Sequence, residues 1–196
     1  MQAAREVIAE HGVEGLSMRD VARKLGISHQ TPYRHFASRD HLLAEIMRRC
    51  FEDFAEFLDQ GSKARPSDEL LGAMGCAYMA YADKKPLEYR LMFGTPWPEP
   101  ADHLDLVKHA VHAFDLLRQN LMNRNAGLPD ARKRSELQAL FIWSSLQRLA
   151  SIKHANVMQH LVLSRGVENK AQDFMLEMTD SALVSQANKF SKRTHD

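Results

Sequence analysis

From Arg19 to Arg39 run five cationic side chains, Arg19, Arg23, Lys24, Arg34 and Arg39, against one carboxylate, Asp20. That is a local excess of four positive charges in a chain whose formal net charge is only +1. Among the cations lie His29, Gln30, Thr31, Tyr33 and His35. Glutamine can pair bidentately with adenine and arginine with guanine, threonine offers a methyl to thymine, and cations neutralise phosphates. The chemistry this stretch could do is nucleic-acid recognition.

Other clusters carry less. His109 and His112 stand three apart with His103 nearby, but no cysteine or carboxylate cluster joins them, so no metal site is expected. Cys50 and Cys76 lie outside any CxxC, which excludes a disulfide scaffold; both are expected to be buried, inert thiols. No nucleophile–base arrangement, Gly-rich phosphate loop or metal motif occurs, so neither an enzyme nor a cofactor is expected. A further set, Tyr78, Tyr81, Met92, Phe93, Phe114 and Trp143, is large and apolar and is expected to line a ligand pocket, a solid core being the alternative.

The elements that position these residues read as helices throughout, because apolar residues recur at helical spacing and no stretch alternates as a strand. A first helix over 1–11 ends at Gly12 and Gly15. Ser17 caps a second, which buries Met18, Val21, Ala22 and Leu25 and stops at Gly26, with Ile27 anchoring the turn. Ser28 caps a short third helix over 29–36, and Ser38 a long fourth from Arg39 to about Gln60. Two short helices joined by Leu25-Gly26-Ile27-Ser28 make a helix-turn-helix, whose second helix presents its N-terminal side chains to the major groove. Beyond a linker at Gly61–Pro66, helices follow from a Ser67 cap to about Lys85, then over 86–93, 101–125, 131–155 and 169–189, with 157–165 ambiguous. Three prolines keep Gly94–Pro100 out of any helix interior and suit it to one lip of a pocket.

The expected fold is all-α with about nine helices: a helix-turn-helix head over 1–50 and a helical effector-binding and dimerisation domain over 51–196. Hydrophobic residues at 44% and charged residues at 26% suffice for a buried core. No run of about 18 apolar residues could span a membrane, and the N-terminus lacks a signal-peptide pattern, so a cytoplasmic location is expected.

Residues 1–50 resemble the N-terminal domain of the TetR/AcrR family of bacterial regulators. The resemblance is carried by Gly12, Ser17, Asp20-Val21-Ala22, Gly26-Ile27-Ser28, Tyr33, His35-Phe36 and Ser38-Arg39-Asp40-His41-Leu42-Leu43. It implies phosphate contacts by Tyr33 and His35 and a backbone contact by Arg39. It also implies that the basic arm many relatives carry ahead of the first helix is short or missing. Residues 87–94 and Trp143 resemble a Trp-His-Gly-type C-terminal subfamily, although Gln147-Arg148 stand where His-Gly would be expected.

The expected DNA-binding set is Ser17, Arg19, Ser28, His29, Gln30, Thr31, Tyr33, Arg34, His35 and Arg39. The expected function is a transcriptional repressor that binds a near-palindromic operator in double-stranded DNA as a homodimer and is released by a small hydrophobic effector. A ligand-independent or architectural DNA binder is the alternative. The dimer is expected through the last two long helices: Ala171, Phe174, Met175, Met178 and Ala182 form one apolar face, and Leu176, Leu183 and Phe190 another.

Overall fold

The computed structural model describes residues 1–63, 69–155 and 160–193, the side chains of 62 and 186–193 excepted. Among the described residues it holds eight α-helices and no strand: α1 Gln2–His11, α2 Met18–Leu25, α3 Arg39–Ser62, α4 Leu70–Lys84, α5 Pro86–Phe93, α6 Leu104–Arg124, α7 Ala131–His154 and α8 Val167–Arg193. Single 3₁₀ turns occupy Pro32–Arg34 and Pro100–Asp102. The all-helical expectation is borne out.

The expected helix over 29–36 is instead a run of tight turns around Pro32–Arg34. Proline has no N–H, so the α-type bond from residue 32 to Ser28 cannot form. The Ser28 carbonyl takes the Thr31 N–H at 2.9 Å, and Arg34 and His35 close i→i+3 bonds to Thr31 and Pro32. The expected Ser67 cap and part of the expected linker lie outside the described residues, as does the side chain of Phe190.

The chain gathers into two compact units, Met1–Asp53 with Leu87–Val111, and Phe54–Pro86 with His112–Asp196. In the first, α1 buries Ala3, Ala4, Val7 and Ile8, while α2 buries Met18, Val21 and Ala22. The α3 side chains Leu42, Leu43, Ile46 and Met47 are buried as well. Phe51 meets the rings of Phe93 and Trp97 edge-on at 5.7 and 5.4 Å. The Trp97 indole N–H donates to the Met92 carbonyl at 3.0 Å, which ties down the proline-rich stretch within this unit. Contrary to expectation, Leu25 and Ile27 are exposed. Periodicity tells which face a side chain occupies, not whether a second element reaches far enough to cover it.

In the second unit Phe54, Tyr78 and Tyr81 are fully buried, and α4 packs on α7 and α8. Gly75 permits the α4–α8 approach, because a Cβ there would meet a Leu176 methyl at 2.4 Å. A buried polar knot joins α6 to α7: the Asn125 amide donates to Ser135 Oγ at 2.9 Å and Gln138 Oε1 at 2.7 Å. Burying these groups is tolerable because each has a partner.

Candidate nucleic-acid interface and ligand groove

Local chemistry sets the head. Ser17 sits in extended backbone, and its hydroxyl oxygen accepts the Asp20 N–H at 3.1 Å, capping α2. The same hydroxyl donates to the Asp20 carboxylate, which also takes Arg23. The Ser17 bond first, and then the Arg23 charge, hold Asp20 below the usual carboxylate range. At the other end Gly26 adopts φ 66, and the Ile27 N–H reaches the Ala22 carbonyl at 3.1 Å. This closure needs the left-handed region that glycine enters without strain.

Beyond the turn, Ser28, His29, Gln30, Tyr33, Arg34 and His35 are exposed and Thr31 is half-buried, while Pro32 is buried beneath them. The Ser28 hydroxyl accepts the Gln30 N–H at 3.4 Å. Pro32 therefore anchors a short segment whose polar side chains face outward together.

The structure divides the cations. Lys24 Nζ lies 2.6 Å from Glu10 and 3.5 Å from Glu6, both on α1, and Arg23 is paired with Asp20. Hydrogen bonding to Glu10 raises the Lys24 pKa, and the same bond lowers that of Glu10. Arg39 turns inward: its Nε donates to the Leu16 carbonyl at 3.0 Å and an Nη to the Val13 carbonyl at 2.7 Å. Among the described residues, Arg19 and Arg34 are the cations of this stretch left exposed without a hydrogen bond or close ion pair, Arg19 acting on Asp20 only through its charge. Arg39 braces the α1–α2 loop, a role invisible in the sequence because its acceptors lie 23 and 26 residues away.

The six residues expected to line a pocket are divided between the two units. Met92 and Phe93 belong to the first unit. In the second, Tyr78 and Tyr81 pack on Phe54 at 5.3 and 4.9 Å, and Trp143 meets Tyr78 and Phe114 at 5.6 Å each. These large rings fill their own space. An open groove of about 570 Å³ lies instead where side chains are small, along Gly72, Ala73, Cys76, Ala77 and Ala80 of α4. Phe57, Ile142, Leu176 and Leu183 form its apolar walls, with Glu69, Thr179 and Asp180 also in the lining. None of the six expected residues lines it, nor does the proline-rich stretch. Cys76, expected to be buried, is exposed in this groove, whereas Cys50 is buried. The recurrence of small residues at 72, 73, 76, 77 and 80 was the available signal.

The sequence profile of the bacterial regulatory proteins of the tetR family matches residues 1–46, and that of the tetracyclin repressor-like C-terminal domain matches residues 71–165. The chain belongs to the TetR family. The Mycobacterium bovis HTH-type transcriptional regulator Mb1846 is 30% identical over 102 residues, which make up 50% of this chain and 43% of that protein. The matched stretch thus spans less than half of the relative. Two solved structures share the fold. The regulatory protein SCO4313 aligns with a TM-score of 0.72 at 22% identity, covering 94% of this chain and 92% of that one. Bacillus subtilis FadR, solved in complex with stearoyl-CoA, aligns with a TM-score of 0.70 at 16% identity, covering 92% and 95%. The TetR-family head is the helix-turn-helix described above, and the second family match contains the α4 positions 71–80 and Ile142 of the groove.

Proposed function

We propose that this TetR-family protein is a DNA-binding transcriptional repressor that holds a near-palindromic operator as a homodimer and leaves it when a small apolar molecule occupies the groove along α4. The observation that carries the reading is the outward set Gln30, Thr31, Tyr33, Arg34 and His35, raised on the buried Pro32 and flanked by the exposed Arg19. Exposed amide, hydroxyl and guanidinium groups at the start of a recognition segment are what base edges and phosphates require. Arg39 supports this face by fixing the loop ahead of α2 rather than through its own charge.

The groove supports the effector half of the reading. Its volume of about 570 Å³ falls within the roughly 300–1,000 Å³ of small-molecule sites. Bacillus subtilis FadR, similar in fold, is solved with stearoyl-CoA, a ligand with a long apolar chain. Release obeys linkage: the ligand must favour the unbound state, and DNA must weaken ligand binding by the same factor. Turning 99% bound into 1% bound needs about 5.5 kcal/mol of differential affinity.

The test is fluorescence anisotropy on DNA flanking the protein's own gene, with apolar compounds added to the complex. Specific binding that a compound reverses supports the proposal. Specific binding that no compound changes means a ligand-independent DNA binder, and salt-sensitive binding without sequence preference means an architectural one.

A further inference from the structure

We infer that α3 and the start of α6 form a clasp within the first unit that protonation opens, lowering operator affinity in acid. The clasp is independent of the groove and is built from histidines that the DNA-facing set does not use. Two contacts make it. The rings of His41, on α3, and His103, directly ahead of α6, meet edge-on with centroids 4.8 Å apart. Further along both helices, an Arg48 Nη donates to His109 Nε2 at 3.3 Å, while His109 Nδ1 lies 2.8 Å from the Asp105 carbonyl oxygen.

These partners assign the His109 proton. A carbonyl only accepts and a guanidinium only donates, so Nδ1 carries the hydrogen and Nε2 the lone pair. A second proton turns Nε2 into a donor facing a donor, beside a fixed positive charge, and the Arg48 contact ends. At the other contact, protonating both rings sets like charges side by side. An open cleft of about 530 Å³, lined by His41, His103, Arg48 and Asp105 among others, gives protons access. The nearby acids on α3 are already engaged: Glu45 by Arg48 and Arg49, Glu52 by Arg48 and Asp40 by Arg39. Asp102 and Asp105, at the turn into α6, are exposed, so water screens their pull on the rings. Both contacts are intact while the rings are neutral and are lost as pH falls through the ordinary histidine range, near about 6.5. The consequence reaches DNA because α3 begins at Arg39, directly after the outward set, and Arg39 braces the α1–α2 loop. Freeing α3 from α6 loosens that support, and a less preorganised reader binds less tightly.

The proton assignment is read from two-bond ¹H–¹⁵N spectra of the full chain at about pH 7.5, above the ordinary histidine range. His109 is identified by the signal lost in His109→Gln, or in His109→Asn. The Nδ1–H form is expected; the Nε2–H form overturns the inference. Wild type is then compared at about pH 7.5 and 5.5, on either side of that range, with His103→Phe/His109→Gln. This variant keeps an aromatic edge and an acceptor but takes no proton at either position. The folding constant from urea unfolding is expected to drop at least about ten-fold further in wild type, and its operator affinity to fall further as well. His29 and His35 titrate in both proteins and cancel. Each single substitution should remove part of the gap, and serves where the double variant does not fold. Equal pH dependence in wild type and variants overturns the clasp. A stability gap without one in operator affinity overturns its control of DNA binding.

Discussion

Single side chains carry two separable duties in the head, and substitution can tell them apart. Ser17 holds α2 through one cap bond. Ser17→Ala is expected to lower stability by about 1 kcal/mol, seen as a shifted denaturant midpoint. The outward residues should affect DNA alone. Tyr33→Phe and His35→Ala are expected to weaken binding to all sequences about equally, because phosphate contacts position without specifying. Gln30→Ala and Thr31→Ala should change the preferred base, by about 1–3 kcal/mol where a good pair is lost. An operator library read by anisotropy checks this, and a uniform loss in both groups would remove Gln30 and Thr31 from the readers.

At the scale of elements, α3 carries a charge cluster that should make the head sensitive to acid. Arg48 binds Glu45 in a fork at 2.7 and 3.0 Å, and Arg49 adds a bond at 2.7 Å. Hydrogen bonding from Arg48 first, and then from Arg49, holds the Glu45 carboxyl down to about 2. The folded value lies below the ordinary 4.5, so this stabilisation is fully present above about pH 4.5 and lost as pH falls toward 2. Glu45→Gln is expected to cost about 1 kcal/mol at neutral pH, with the difference fading between pH 4.5 and 2. Urea melts across that range check it. A gap that stays constant with pH would assign the loss to packing rather than charge.

For the whole molecule, the decisive question is pairing. Leu137, Leu140 and Phe141 on α7 are exposed, and so are Phe174 and Met178 on α8, while Leu146 and Leu183 on the same helices are buried. Helices apolar on two sides, with one side still open, fit a second copy of the chain. A two-fold dimer would place its recognition segments about 34–36 Å apart or a multiple, which is why a near-palindromic operator is proposed. Phe141→Asp with Met178→Asp is expected to give a monomer by light scattering and to lose operator binding while keeping its helical content. A wild-type monomer at micromolar concentration, unchanged by DNA, would overturn the dimer.

What was legible in the sequence acts over a few residues. The Ser17 and Ser38 caps, the Gly26 stop, the start of α5 at Pro86 and the helical character of the chain follow from local hydrogen bonding and periodicity. The sequence also holds the cue for the tight turns at Pro32, a missing N–H that the expected eight-residue helix over 29–36 could not absorb. Tertiary structure decided which of the five cations stay open, because Lys24 finds Glu10 across 14 residues and Arg39 finds Val13 across 26. It decided that Leu25 lies uncovered and that Cys76 faces open space. It also opened a groove along the small residues of α4. Aromatic rings announce themselves in composition but fill the volume they occupy, whereas a groove is a volume that neighbouring chains leave unfilled, and no single stretch of sequence records it.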